Sequence, residues 1–158
     1  MKRAALALVV VLALAGFAAD TSKEPVLWSA QSMKDFDQKL EAKSQGSPNK
    51  VGAEIVTRYG NHLMWQVHRE GSGAAELHVK ESDTFIVNGG EATVIVGGTM
   101  AGKKSIGPNE FQGSSINGGT RTKINPGDIF HIPADTPHQV LVEQGTKFAY
   151  MILKVNTD

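Results

Sequence analysis

From Val51 to the C-terminus the chain offers only short apolar runs, broken by glycine and proline, with no helical spacing between them. Such runs are strands, and strands without intervening helices leave a sandwich or a barrel as the available architectures. Seventeen glycines in 158 residues suit the turn density of that kind of fold. Between Asn61 and His68 the alternation is clean: Leu63, Trp65 and Val67 share one face, and His62, Met64, Gln66 and His68 the other. Residues 91–98 and 147–155 read as further strands.

Two strand-like stretches also carry chemistry. Glu76-Leu77-His78 places a carboxylate and an imidazole on one face of a strand, because residues two apart point the same way. Asp83 opens a second run in which Asp83, Phe85 and Val87 align, closed by the turn signal Asn88-Gly89-Gly90. Much further on, the segment from Asn125 to His138 offers a strand, a Pro-bounded turn and a fourth candidate ligand, His138, which only a closed sheet can bring to the others. Glu76, His78, Asp83 and His138 together make a borderline-hard donor set suited to a divalent transition metal, Zn, Mn, Fe or Ni, and the chain has no cysteine to supply a thiolate. The plain alternative is a pair of structural histidines or a metal-free pocket. Glu76 fits either a ligand or a catalytic general base beside a three-ligand site. Asp83 fits either a ligand or a strand-start carboxylate bonded to backbone.

These residues resemble the cupin superfamily. Its first motif runs Gly, five residues, His-x-His, three or four residues, Glu, six residues, Gly. His78 stands at the second His, Asp83 at the Glu after four residues, and Gly90 closes the motif after six more. Glu76 occupies the first His position, and the opening Gly71 is one residue out of place. The second motif runs Gly, five residues, Pro-x-Gly, two residues, His, three residues, Asn. Gly127, Pro133 and His138 match it, while Asp135 replaces the inner Gly and Val142 the Asn. The resemblance covers about Val51 to Val155. It implies an all-β fold, a cupin-type double-stranded β-helix or jelly-roll barrel of two antiparallel sheets, with the site inside the barrel and often a homodimer made by sheet packing.

The N-terminal third is of a different character. Met1-Lys2-Arg3, an apolar stretch too short to span a membrane comfortably and small residues near Phe17 fit a cleaved export signal over residues 1–19, hence a periplasmic or secreted protein with no stable membrane anchor after cleavage. The absence of cysteine excludes a lipidated lipoprotein. Removing Lys2 and Arg3 from the 16 basic residues leaves 14 against 16 acidic ones, so no basic field exists to attract nucleic acid. Residues 20–50 form a polar arm with one short helix, Ser32–Lys43, in which Met33, Phe36 and Leu40 align and Ser32 is the expected N-cap. That helix is expected on the outside of the barrel, or else as a flap or an exchange arm. Residues 51–158 form the barrel.

Other residues round out the expected site. His68 is placed at the pocket rim, Arg69 as a fork for a substrate carboxylate or else in a solvated turn, and Tyr150 as a pocket hydroxyl. His131, in an apolar strand, is expected as a satisfied core or interface histidine. Met100 to Thr122, rich in Gly, Ser, Asn and Lys, reads as a substrate-shaping loop or a plain excursion at the barrel edge. Gly97 to Lys103 approximates a phosphate-binding loop, but Ile106-Gly107-Pro108 cannot open the helix that such a loop requires. The resulting expectation is an exported, metal-dependent enzyme acting on a small oxygenated ligand by isomerase, lyase or oxygenase chemistry. A non-catalytic small-ligand-binding cupin with a degenerate or absent metal site is the other reading.

Overall fold

The computed structural model describes residues 25–157, so the expected export segment lies outside the described residues. The first element is a helix, α1 (Ala30–Gln45). Strands β1 (Val51–Arg58), β2 (His62–Arg69), β3 (Ala75–His78), β4 (Glu81–Gly90) and β5 (Ala92–Val96) follow. Four short strands come next, β6 (Thr99–Ala101), β7 (Lys104–Gly107), β8 (Glu110–Gly113) and β9 (Ser115–Asn117). The chain then forms β10 (Thr120–Ile124), β11 (Ile129–Ile132), β12 (His138–Leu141) and β13 (Phe148–Asn156). Among the described residues no helix is long and apolar enough to cross a membrane.

The strands form a five-stranded sheet in the order β1-β2-β13-β4-β11, a six-stranded sheet in the order β10-β5-β12-β3-β8-β7, and a two-stranded ribbon β6-β9, all with antiparallel pairing. Period-two alternation sends Val67, Phe85, Val94, Ile132, Val140 and Ile152 into a common core between the two large sheets. A smaller core lies on the other face of the six-stranded sheet, where Ala75, Leu77 and Ile95 meet Met100 and Ile116 of the ribbon. The stretch expected as a loop is therefore largely strand. Its glycines and serines hide an alternation of single apolar residues, and those residues suffice because only one face of the ribbon is buried.

α1 starts three residues earlier than its apolar stripe suggests. Ser29 is the N-cap, its Oγ accepting from the Ser32 amide at 3.1 Å, so Ser32 lies inside the first turn. The helix lies on the outer face of the five-stranded sheet, with Leu40 fully buried, a contact that contributes about 1.5–3 kcal/mol. Gly52 makes this approach possible: a Cβ there would stand 2.1 Å from the Leu40 carbonyl oxygen.

Two motif positions gain a physical meaning from the backbone. Gly90, which closes the first motif, has φ +69° and passes so close to Lys147 that any side chain would strike its carbonyl. Asp135, where the second motif has glycine, adopts φ +55°, the left-handed conformation that glycine enters freely and aspartate tolerates. Its amide donates to the His78 carbonyl at 2.8 Å, which ties the turn before His138 to β3.

Candidate metal centre

The register places the chemistry. β12 pairs with β3 so that His138 lies opposite Glu76, and β4 runs beside β13 so that Asp83 lies opposite Lys154. Glu76, His78 and His138 each offer a donor atom within 4.8 Å of the others. Asp83 Oδ2 is 3.6 Å from His78 Nε2 and 3.5 Å from His138 Nε2. The four residues named from the sequence thus converge inside the barrel, where His78, His138 and Asp83 are 9%, 3% and 2% exposed.

The hydrogen bonds fix what the imidazoles present to one another. His138 Nδ1 is 3.1 Å from the Thr136 carbonyl, and His78 Nδ1 is 2.5 Å from Glu110 Oε2. Both partners only accept, so each Nδ1 carries the proton, and in the neutral ring Nε2 holds a lone pair. Both Nε2 atoms are buried without a hydrogen-bond partner. Two lone pairs and a carboxylate oxygen facing one another in a buried space repel unless a cation lies among them. Four ligands at about 2.1 Å in a tetrahedron stand about 3.4 Å apart, close to the two Asp83 distances, so the residues present fit a divalent ion.

Charges around the site reinforce that arrangement. Burial pushes the Asp83 carboxyl up, but the His138 ring, the Lys154 ammonium and His78 outweigh it and hold it down to about 2. Lys154 Nζ lies 2.7 Å from Asp83 Oδ1 and 3.7 Å from Glu81 Oε2, leaving Oδ2 turned toward the imidazoles. Burial pushes His78 down, yet the Glu110 bond, with Asp83 and Glu76 behind it, leaves it raised.

Arg69 and Tyr150 form a second group on the interior face. Arg69 Nε donates to the Tyr150 hydroxyl at 2.8 Å, and its guanidinium rests against Gly73, so it lies within the barrel and not in a solvated turn. Burial works against the charge on Arg69, but the Tyr150 hydroxyl and the Glu76 carboxylate keep its pKa raised. Burial also raises the Tyr150 phenol, against the pull of Arg69. Phe85 meets both His138 and Tyr150 edge-on, at centroid distances of 6.4 and 5.0 Å, and so links the two groups.

His68 does not join them. Its ring is buried on the outer face of β2, under α1, where Nδ1 lies 2.7 Å from Asp37 Oδ1. Adjacent residues of a strand face opposite ways, so with Arg69 inside, His68 cannot reach the pocket. His131 is exposed on the outer face of the same sheet, Nδ1 2.9 Å from Thr84 Oγ1, and so is no core residue. Three polar residues at the site escaped the sequence reading. Lys154 follows Tyr150 and Ile152 at strand spacing, a signal present in the sequence, whereas Glu110 and Gln112 lay inside the supposed loop. Gln112 Nε2 reaches Glu76 Oε1 at a long 3.5 Å. Glu110 also borders an open cleft of about 260 Å³ between Lys80, Asn109 and Asn156.

No family model matches the chain, and no curated protein matches it. Solved structures do. A conserved protein with a double-stranded β-helix domain from Klebsiella pneumoniae superposes with a TM-score of 0.57 at 15% identity, over 85% of this chain and 93% of that one. KdgF from Halomonas sp. gives 0.51 at 16%, over 71% and 84%. The cupin domain of Schizosaccharomyces pombe Cnp3 gives 0.52 at 7%, over 68% and 65%. Two antiparallel sheets rolled about paired imidazoles, and the likeness to these structures, define the class: the chain has the double-stranded β-helix fold of the cupin superfamily.

Proposed function

We propose that this chain is an exported cupin that holds one divalent transition metal on Glu76, His78 and His138, with Asp83 as a further donor, and acts on a small oxygenated substrate by isomerase, lyase or oxygenase chemistry. The observation that carries the reading is the pair of buried, unpartnered Nε2 atoms facing Asp83, each with its Nδ1 already committed to an acceptor. A bound ion would polarise a carbonyl or enol oxygen, or lower the pKa of a bound water.

The chain's own residues supply the rest. Among the described residues Arg69 uses only Nε in a side-chain hydrogen bond, so its terminal nitrogens are available to a substrate carboxylate of the sugar-acid or keto-acid kind, while Tyr150 fixes the fork. Glu76 serves in this reading as a ligand or as the base beside a three-ligand centre, and its nearness to His78 and His138 supports either role. Export rests on the sequence of residues 1–19, and the homodimer on the likeness of the sequence motifs to the cupin superfamily.

The test is metal analysis of protein purified without added metal, beside a His78→Ala/His138→Ala variant. About one equivalent in the first and none in the second is expected, and equal, negligible metal in both overturns the reading. One observation favours a second reading. Lys154 already supplies a positive charge to Asp83, as a cupin that binds small ligands without a metal would require. Negligible metal in both proteins would leave that reading standing.

A further inference from the structure

β8 reaches the site from the segment between the two motifs. Phe111, at its centre, packs into the small core on the outer face of the six-stranded sheet, which turns its neighbours Glu110 and Gln112 toward the barrel interior. The register then sets Glu110 opposite His78 and Gln112 opposite Glu76, the two candidate ligands carried by β3. Each pair matches donor to acceptor: the carboxylate takes the imidazole Nδ1–H at 2.5 Å, and the amide gives its N–H to the Glu76 carboxylate at 3.5 Å. A strand added only to widen the sheet has no need of a carboxylate and an amide on its inward face.

We propose that β8 is the orienting strand of a divalent-metal centre, in which Glu110 holds His78 as its Nδ1–H tautomer with the Nε2 lone pair turned to the ion, and Gln112 steadies the Glu76 carboxylate. This rests on the reading of the site as a metal centre. Both side chains are positioning residues that do not touch the ion. The segment between the motifs thereby serves the metal's affinity and is not a lid over the substrate. Outer partners of metal-bound histidines typically change affinity by about 10–100-fold, and the short, charged bond of Glu110 places it at the strong end.

The experiment is a chelator-competition titration of the full chain with Zn2+, joined to imidazole 15N spectra of the metal-free protein at a pH well above the histidine range. Glu110→Ala should bind Zn2+ about 10–100-fold more weakly, with the His78 proton moving from Nδ1 to Nε2. Glu110→Gln keeps an acceptor in the same place and should lose less affinity, which separates orientation from misfolding. Gln112→Ala should show a smaller loss than Glu110→Ala, and Lys104→Ala, exposed on the neighbouring strand, none. If Glu110→Ala binds as tightly as the parent while His138→Ala does not bind, the orienting role is refuted and the metal reading stands. If parent and His138→Ala bind equally weakly, both fall. A His78 proton that stays on Nδ1 in Glu110→Ala also overturns the proposal.

Discussion

Replacing Asp83 with asparagine isolates the charge on which the interior of the barrel turns. The carboxyl has a pKa of about 2 in the folded protein, against 3.8 for the free side chain. Because the folded value is the lower, ionised Asp83 stabilises the fold fully above the unfolded value, and the contribution is lost as pH falls through the folded one. A gap of nearly two units corresponds to about 2 kcal/mol at neutral pH, of which about half is gone by pH 3. The assay is urea unfolding of parent and Asp83→Asn in a chelator, so that no metal enters, at a series of pH values from neutral down to about 2. The difference in unfolding free energy between the two proteins should shrink by about 2 kcal/mol as pH falls from about 5 to 2, below the range in which His78, which Asp83 helps to raise, adds its own pH dependence. Lys154→Met gives the companion result. It strips a buried carboxylate of its ion partner and should cost about 3–5 kcal/mol at neutral pH, with the loss falling as the carboxyl becomes protonated. A parent-minus-Asp83→Asn difference that does not vary with pH would refute the argument, since Asp83 would then titrate alike in the folded and unfolded chains.

Three further outcomes follow from the packing and the backbone. Gly52→Ala drives a methyl against the Leu40 carbonyl and should lower stability by about 1–3 kcal/mol, read as a fall in the urea midpoint; an unchanged midpoint would mean that α1 can lift off without loss. Asp135→Gly relieves a left-handed residue and should leave stability equal or higher, whereas Asp135→Val should lower it by about 1–2 kcal/mol, and the reverse order in thermal unfolding would contradict the φ of +55°. Tyr150→Phe removes the acceptor of the Arg69 Nε–H inside the barrel and should cost about 1–3 kcal/mol by the same measurement; an unchanged transition would mean that the bond contributes nothing to the fold.

Much of this was legible wherever one strand face met the core. The alternation of Leu63, Trp65 and Val67, the alignment of Asp83 with Phe85 and Val87, and the spacing from Gly127 to His138 each encode a local rule that the structure obeys. The long-range register was not legible. Nothing near Glu110 in the chain announces His78 as its partner, because that pairing depends on a ribbon packing against Ala75 and Leu77 from the far face of the sheet. The misplacement of His68 has another cause: with Arg69 next to it, only one of the two could face inward, and the shorter ring found Asp37 beneath a helix whose docking no strand pattern reveals.

Charge explains how the barrel accommodates a carboxylate at the first histidine position of the motif. The pattern quoted above has three histidines and one glutamate, a single formal negative charge when the imidazoles are neutral. Glu76 in place of the first histidine adds a second carboxylate beside Asp83, and two carboxylates set together call for a compensating positive charge. Lys154, held at 2.7 Å from Asp83 on the adjoining strand, adds one positive charge back. Counting Glu76, Asp83 and Lys154 alone, the three side chains then leave one formal negative charge, the same as the single glutamate of the three-histidine pattern. The exchange of a histidine for Glu76 and the presence of Lys154 on β13 are two parts of one electrostatic arrangement, and a change at either position alone should unbalance the other.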